Sequence, residues 1–214
     1  MKTIVSIATK GDRPDQLKKT IASLENQCDE LFIYDNTQRP NLTDMGKFFY
    51  LSQLAEPCYY FSCDDDLIYP DDYCLRMRTA IFKYGTIVTC HGRILKEPVE
   101  RYYKGHEVLD FRAEQLQDKW VHVGGTGVMA FRTDYFNPVG IHESELKCMS
   151  DLVLSQEAKI QGKTIVAIKH PQNWIIQQEV LTGISKQFGK NDKKQTEIAQ
   201  QILELFNHRH TTTN

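Results

Sequence analysis

No apolar run in this chain approaches the ~20 residues that a membrane-spanning helix requires, so no membrane span is expected. Charge of one sign is also missing: 26 Lys and Arg stand against 28 Asp and Glu, for a net charge of −2. A basic field of the kind that attracts nucleic acid is therefore absent from the total, and nucleic acid is not an expected partner. None of the cysteines (Cys28, Cys58, Cys63, Cys74, Cys90 and Cys148) forms a C-x-x-C pair, which argues against a zinc ribbon or a thioredoxin-like centre. "MKTIVSIATKGDRP" is too short and too polar for a secretory signal, so the cysteines are expected to be reduced, mostly buried thiols of a cytoplasmic protein. Neither an internal repeat nor a low-complexity linker interrupts the sequence. Its 214 residues are therefore expected to fold as a single domain.

What is present is an alternation. "TIVSIAT" (3–9) is short, apolar and β-branched, the pattern of a buried strand. "KGDRPDQ" breaks it, and Asp12 or Asp15 is expected to cap a helix carrying Leu17, Ile21 and Leu24 on one face. "ELFIYDN" (30–36) reads as a second strand, "TDMGKFFYLSQL" as a helix, and "CYYFSC" as a third strand. A helix is expected to begin at Pro70 and to stop before Gly85, and "TIVTCHG" reads as a fourth strand. Strands alternating with helices predict an α/β domain with a Rossmann-like, mostly parallel sheet and helices on both faces. In such sheets ligands bind beyond the carboxyl ends of the strands. Thr9, Lys10, Asp35, Asn36 and Asp64 to Asp66 all fall there. The second half is less regular. It holds the glycine-rich "VHVGGTGVMAF", a helix over "SDLVLSQEAKIQGK", a strand "TIVAIKH" and a C-terminal amphipathic helix with a short tail.

Three adjacent carboxylates, in "YYFSCDDDLIYPDDY", repel one another unless something positive sits between them. On an extended chain Asp64 and Asp66 point to one side and Asp65 to the other. Two hard oxygen ligands suit Mg²⁺ or Mn²⁺, with remaining positions left to water and substrate phosphates. The alternative use is a solvated acidic turn capping the helix at Pro70. An EF-hand loop is disfavoured because Ile68 and Tyr69 stand where it needs other residue types.

The stretches "TIVSIATKGDRPDQLKKTIASLENQ", "ELFIYDN", "YYFSCDDDLIYPDDY" and "SDLVLSQEAKIQGK" resemble those of GT-A nucleotide-sugar glycosyltransferases of the family 2 kind, with "CDDDLIYP" resembling the D-x-D element. The resemblance implies a metal-dependent glycosyltransferase. It would use Mn²⁺ or Mg²⁺, take a nucleotide-sugar donor (a UDP-sugar) and act on a glycan or glycoprotein acceptor, with further domains of a longer protein alongside. It implies a nucleotide-binding half over 1–92, an acceptor- and sugar-binding half of the same domain over 93–190, and a C-terminal helix and tail over 191–214. Thr9, Lys10, Arg13, Asp35, Asp64 and Asp65 would meet the nucleotide, and Asp64, Asp66 and His170 the metal. His91, Gly125 and Thr126 would meet the sugar, with Trp120 stacking on it, while Trp174 reads as core or interface. Asp151 would be the catalytic base. Here the chain departs from the family's Glu-Asp pair by reading Ser150-Asp151, and Asp151 is equally suited to cap the helix that follows. The alternatives are a nucleotidyltransferase, disfavoured by the single glycine in "ATKGDRPDQ", and a non-catalytic nucleotide-sugar-binding module.

Overall fold

The structure, a computed structural model, describes residues 1–179 and 192–211. The tail expected at 212–214 and the segment 180–191 lie outside them. In chain order the elements are β1 (Thr3–Thr9), α1 (Pro14–Leu24), β2 (Glu30–Asp35), a 3₁₀-helix (Thr43–Gln53), β3 (Tyr59–Asp64), β4 (Leu67–Ile68), α2 (Tyr73–Tyr84), β5 (Ile87–Thr89) and β6 (Gly92–Ile94). There follow β7 (Glu107–Leu109), β8 (Lys119–Val121), β9 (Val123–Gly124), β10 (Val128–Arg132), a short 3₁₀ turn (Ile141–Glu143), α3 (Ser150–Ile160), β11 (Ile165–Ala167), β12 (Ile176–Gln177) and α4 (Lys193–Thr211).

The main sheet has the order β2-β1-β3-β10-β5-β11-β8. β1 runs parallel to β2 and β3, and β5 parallel to β11, while β10 is antiparallel to both β3 and β5 and β8 is antiparallel to β11. The sheet is therefore mixed, with a reversed strand at its centre, where a mostly parallel one was expected. Strands from both halves of the chain interleave in it, so the halves share one core.

Period-two alternation divides that core. Val5, Ile7, Phe61, Cys63, Ala130 and Val166 face α1 and α2, through Leu24, Tyr73, Met77 and Ile81. Their neighbours Ile4, Tyr60, Met129, Phe131 and Ile165 face the 3₁₀-helix and α3, through Phe48, Leu51, Leu154 and Ala158. α4 packs on α3 over Leu152, Ile198, Ala199 and Ile202. No helix among the described residues is long and apolar enough to cross a membrane.

Several local expectations are corrected. Met45, Phe48 and Leu51 are buried at intervals of three, which matches the three residues per turn of a 3₁₀-helix, and that is the form this segment takes. α2 begins at Tyr73, because Pro70 to Asp72 make a turn closed by Tyr73 N–H donating to the Pro70 carbonyl. Neither Asp12 nor Asp15 caps α1; Arg13 holds the cap position without a side-chain cap bond, and Pro14 is the first helical residue. Gly85 ends α2 in the left-handed conformation, as expected.

Candidate functional site

The ends of β1 and β3, the N-terminus of α1, the 3₁₀-helix, the segment before β10 and the start of α3 surround a cleft of about 540 Å³. That is the size range of small-molecule sites. Thr9, Lys10, Arg13, Asp64, Asp65, Asp66, His91, Gly125 and Asp151 line it, so most residues singled out from the sequence converge here.

Asp64 closes β3, but Asp65 and Asp66 form a turn into β4, so the simple alternation of faces does not extend through the triplet. Arg13 instead reaches both, with its guanidinium 2.9 Å from Asp66 and 3.5 Å from Asp65. Burial first, and then the charges of Asp64 and Asp65, push the Asp66 carboxyl up to about 6. Burial also raises Asp65, which Thr9 and Arg13 partly offset. Asp64 is held from two sides. Its backbone N–H donates to the Tyr69 hydroxyl at 2.9 Å, and that hydroxyl donates to the Gly127 carbonyl at 2.6 Å. Its carboxylate lies over Gly127, where an added Cβ would meet Asp64 Oδ2 at 2.0 Å.

Lys47, which the sequence reading passed over, is the principal surprise. It sits on the 3₁₀-helix with its side chain 2% exposed and places Nζ 2.5 Å from Asp64 Oδ1. Burial opposes its charge, but Asp64 and Asp44 outweigh that cost and hold the ammonium above its usual range. A lysine inside "MGKFFY", a stretch otherwise without charge, was the available signal.

Asp151 does not cap α3. Met149 takes the cap position, and Asp44 of the 3₁₀-helix accepts from Ser150 N–H at 3.0 Å and from Ser150 Oγ, a cap supplied from a distant segment. Asp151 Oδ1 accepts from both the backbone N–H and the hydroxyl of Thr126, each at 2.7 Å. Thr126 was expected to meet the sugar, but these two donors are spent on Asp151, so it orients the carboxylate instead. No hydrogen bond among the described residues engages Asp151 Oδ2.

His91 follows β5 and lines the cleft. Gly125 N–H donates to its carbonyl at 2.8 Å, and a Cβ on Gly125 would lie 2.9 Å from the ring, so glycine permits the approach. Burial lowers the imidazole below its usual range, which keeps it neutral at pH 7. Among the described residues its Nδ1 is buried without a partner, the condition of a group available to a ligand.

Three expected site residues lie elsewhere. Asp35 accepts from the backbone N–H and hydroxyl of Thr37 at 2.8 and 2.7 Å in a turn and does not line the cleft; its neighbour Asn36 does. His170 is 3% exposed, with its ring nitrogens 3.1 and 3.3 Å from the Pro171 and Cys90 carbonyls; it stacks on Trp174 and does not line the cleft. Trp120 packs edge-on to Tyr84 on edge strand β8 and is also outside the cleft. Trp174 packs against the core, as expected.

Without His170, no group of three His, Cys, Asp or Glu among the described residues is arranged to hold a metal ion. Asp64 and Asp66 still offer hard oxygens close enough that the charge of one raises the carboxyl of the other. That donor set fits Mg²⁺ or Mn²⁺ in the mode that takes one or two carboxylates and completes its shell with substrate phosphates and water. Asp64, with its side chain 45% exposed, is the more open of the two.

Neither a protein-family model nor a curated protein matches the chain. Among solved structures it is similar to A197 from STIV, with a TM-score of 0.45 and 12% identity over 86% of this chain and 97% of that one.

Proposed function

We propose that this cleft transfers a sugar from a nucleotide-sugar, a UDP-sugar by preference, to a hydroxyl of a glycan or glycoprotein acceptor, in the manner of a GT-A glycosyltransferase. One observation carries the reading. A carboxylate triplet compensated by Lys47 and Arg13 borders the same cavity as Asp151, whose Oδ1 is fixed by Thr126. A finer resemblance, to the N-terminal glycosyltransferase domain of a large chlorella-virus protein that glycosylates the capsid, would imply UDP as the nucleotide.

The chemistry follows from that arrangement. The acceptor oxygen bonds to the anomeric carbon as the bond from that carbon to the diphosphate oxygen breaks, and the bonding pair leaves with the nucleoside diphosphate. The hydroxyl proton passes to Asp151 Oδ2, the oxygen left open by the Thr126 bonds. Lys10, Arg13 and Lys47 face the negative charge that develops on the leaving group. A divalent cation bound at Asp64 and Asp66 would supply further charge neutralisation there. Neutral His91 offers its free ring nitrogen to a sugar hydroxyl.

Calorimetry of UDP with Mn²⁺ and with EDTA, together with UDP release from a panel of UDP-sugars, tests the reading. Tighter binding with Mn²⁺ and acceptor-dependent release are expected. Failure to bind UDP under either condition would overturn it. Binding without release for any sugar would reduce the site to a binding module, an alternative that the already paired Asp64 and Asp66 favour.

A further inference from the structure

A second cavity, of about 280 Å³, continues from the first and shares with it Asp44, Lys47, Asp64, His91, Gly125 and Asp151. Beyond Asp151 its walls change character. They carry Arg93 from β6, the adjacent Tyr102 and Tyr103, and Gln195 from α4. The Arg93 guanidinium lies over both tyrosine rings, 4.9 and 5.5 Å from their centroids. Such stacking, together with a side-chain hydrogen bond from Arg93 to Tyr102, fixes the guanidinium and leaves its remaining edge donors to other partners.

Among the described residues Arg93 has no carboxylate within ion-pair distance. Arg13, Arg76, Arg101, Arg112 and Arg132 each have one. Arg39 and Arg78 lack one too, but both are exposed, where water serves. Arg93 is half-buried against a cavity, where an uncompensated cation is costly unless a ligand brings the opposite charge.

We propose that this arm is the acceptor subsite of the glycosyl-transfer reaction, a step that rests on the reading above, and that it takes a saccharide bearing an anionic oxygen group, with Arg93 as the counter-ion. Asp151 repels an anion, so the charged group sits at the Arg93 end and the reacting hydroxyl at the Asp151 end. One carboxylate and one guanidinium on the same cavity thereby orient the acceptor. Gln195, 3% exposed, is left to pair with a hydroxyl between them. A uronate carboxylate and a sugar phosphate present the same chemistry to Arg93.

Direct binding to the UDP-saturated full chain tests this, with methyl glucuronide, glucose 6-phosphate and neutral methyl glucoside as probes. At least one charged probe is expected to bind about tenfold or more tighter than the neutral one, and whichever does identifies the source of the anion. Arg93→Met should remove that preference, and Arg93→Lys, which keeps the charge and loses the fork, should restore part of it. Equal binding of all three probes by the wild-type protein would overturn the proposal, as would a preference that survives Arg93→Met. Repeating the titrations without UDP separates the two readings. A charged probe that binds through Arg93 to a protein with no affinity for UDP would sink the donor reading and leave the anion subsite standing.

Discussion

Lys47 is 2% exposed and its partner Asp64 is 45% exposed, so the ion pair at the floor of the cleft has one buried end and one wet end. The two ends should respond differently to removal. Asp64→Asn leaves the buried ammonium without its nearest counter-charge and should cost about 3 kcal/mol of stability, in the range for a broken buried pair. Lys47→Met removes the buried charge itself and lets Asp64 hydrate, so chemical denaturation should show a change under ~1 kcal/mol. Lys47→Met should nonetheless weaken UDP binding in EDTA by tenfold or more, a charged contact being worth roughly 1.5–3 kcal/mol. Equal destabilisation by the two variants would contradict this asymmetry.

Asp151→Asn keeps an acceptor at Oδ1 for Thr126 and loses the proton-accepting carboxylate. Transfer should fall at least ~10²-fold with the thermal midpoint nearly unchanged. The cap belongs to Asp44, so Asp44→Ala should be the variant that costs about 1 kcal/mol of stability. Near-normal transfer by Asp151→Asn would remove the base.

Gly127→Ala places a Cβ within 2.3 Å of Asp64 Cγ as well as on its Oδ2, so the carboxylate must swing away. The expected result is loss of Mn²⁺-dependent UDP affinity by calorimetry in a protein that still folds, judged by its circular dichroism. Unaltered affinity would mean that the close approach of Gly127 to Asp64 does not shape the site.

Asp66 supplies a pH signature. Its folded carboxyl titrates at about 6, above the ordinary 3.8, so the folded state holds this proton more tightly than the unfolded chain does. Stability should therefore decline as pH rises from about 4 through about 6, and the cost is then constant. Asp66→Asn cannot ionise and should be the more stable protein at pH 7.5, by roughly 1–3 kcal/mol. The gap should close by pH 4. A variant less stable than wild type at pH 7.5 would mean that the Arg13 bond outweighs the burial and repulsion.

Much of this site could be read from the sequence because its parts are local. β1, β2 and β3 announce themselves as apolar runs ending on polar residues, and the triplet Asp64–Asp66 follows its strand directly. What stayed hidden depends on contacts between distant segments. Lys47 lies 17 residues before Asp64, and only the packing of the 3₁₀-helix on the sheet joins them. Asp44 and Ser150 are 106 residues apart. The reversed direction of β10 has no signature in "VMAFR", yet it carries Gly127 to Asp64. His170 misled because a histidine after an apolar strand looks the same whether its ring turns toward a cleft or, as here, toward backbone carbonyls.

The bond from Asp44 to Ser150 also sets a limit on exchange of parts. The segment that carries Lys47 and the helix that carries Asp151 are fastened to each other, although they come from opposite halves of the chain. A chimera that grafts a foreign 93–190 half onto residues 1–92, in order to change the acceptor, would break this fastening unless the graft kept a hydroxyl and an N–H facing Asp44. Redesign for new acceptors is better confined to Arg93, Tyr102, Tyr103 and Gln195, which take no part in it.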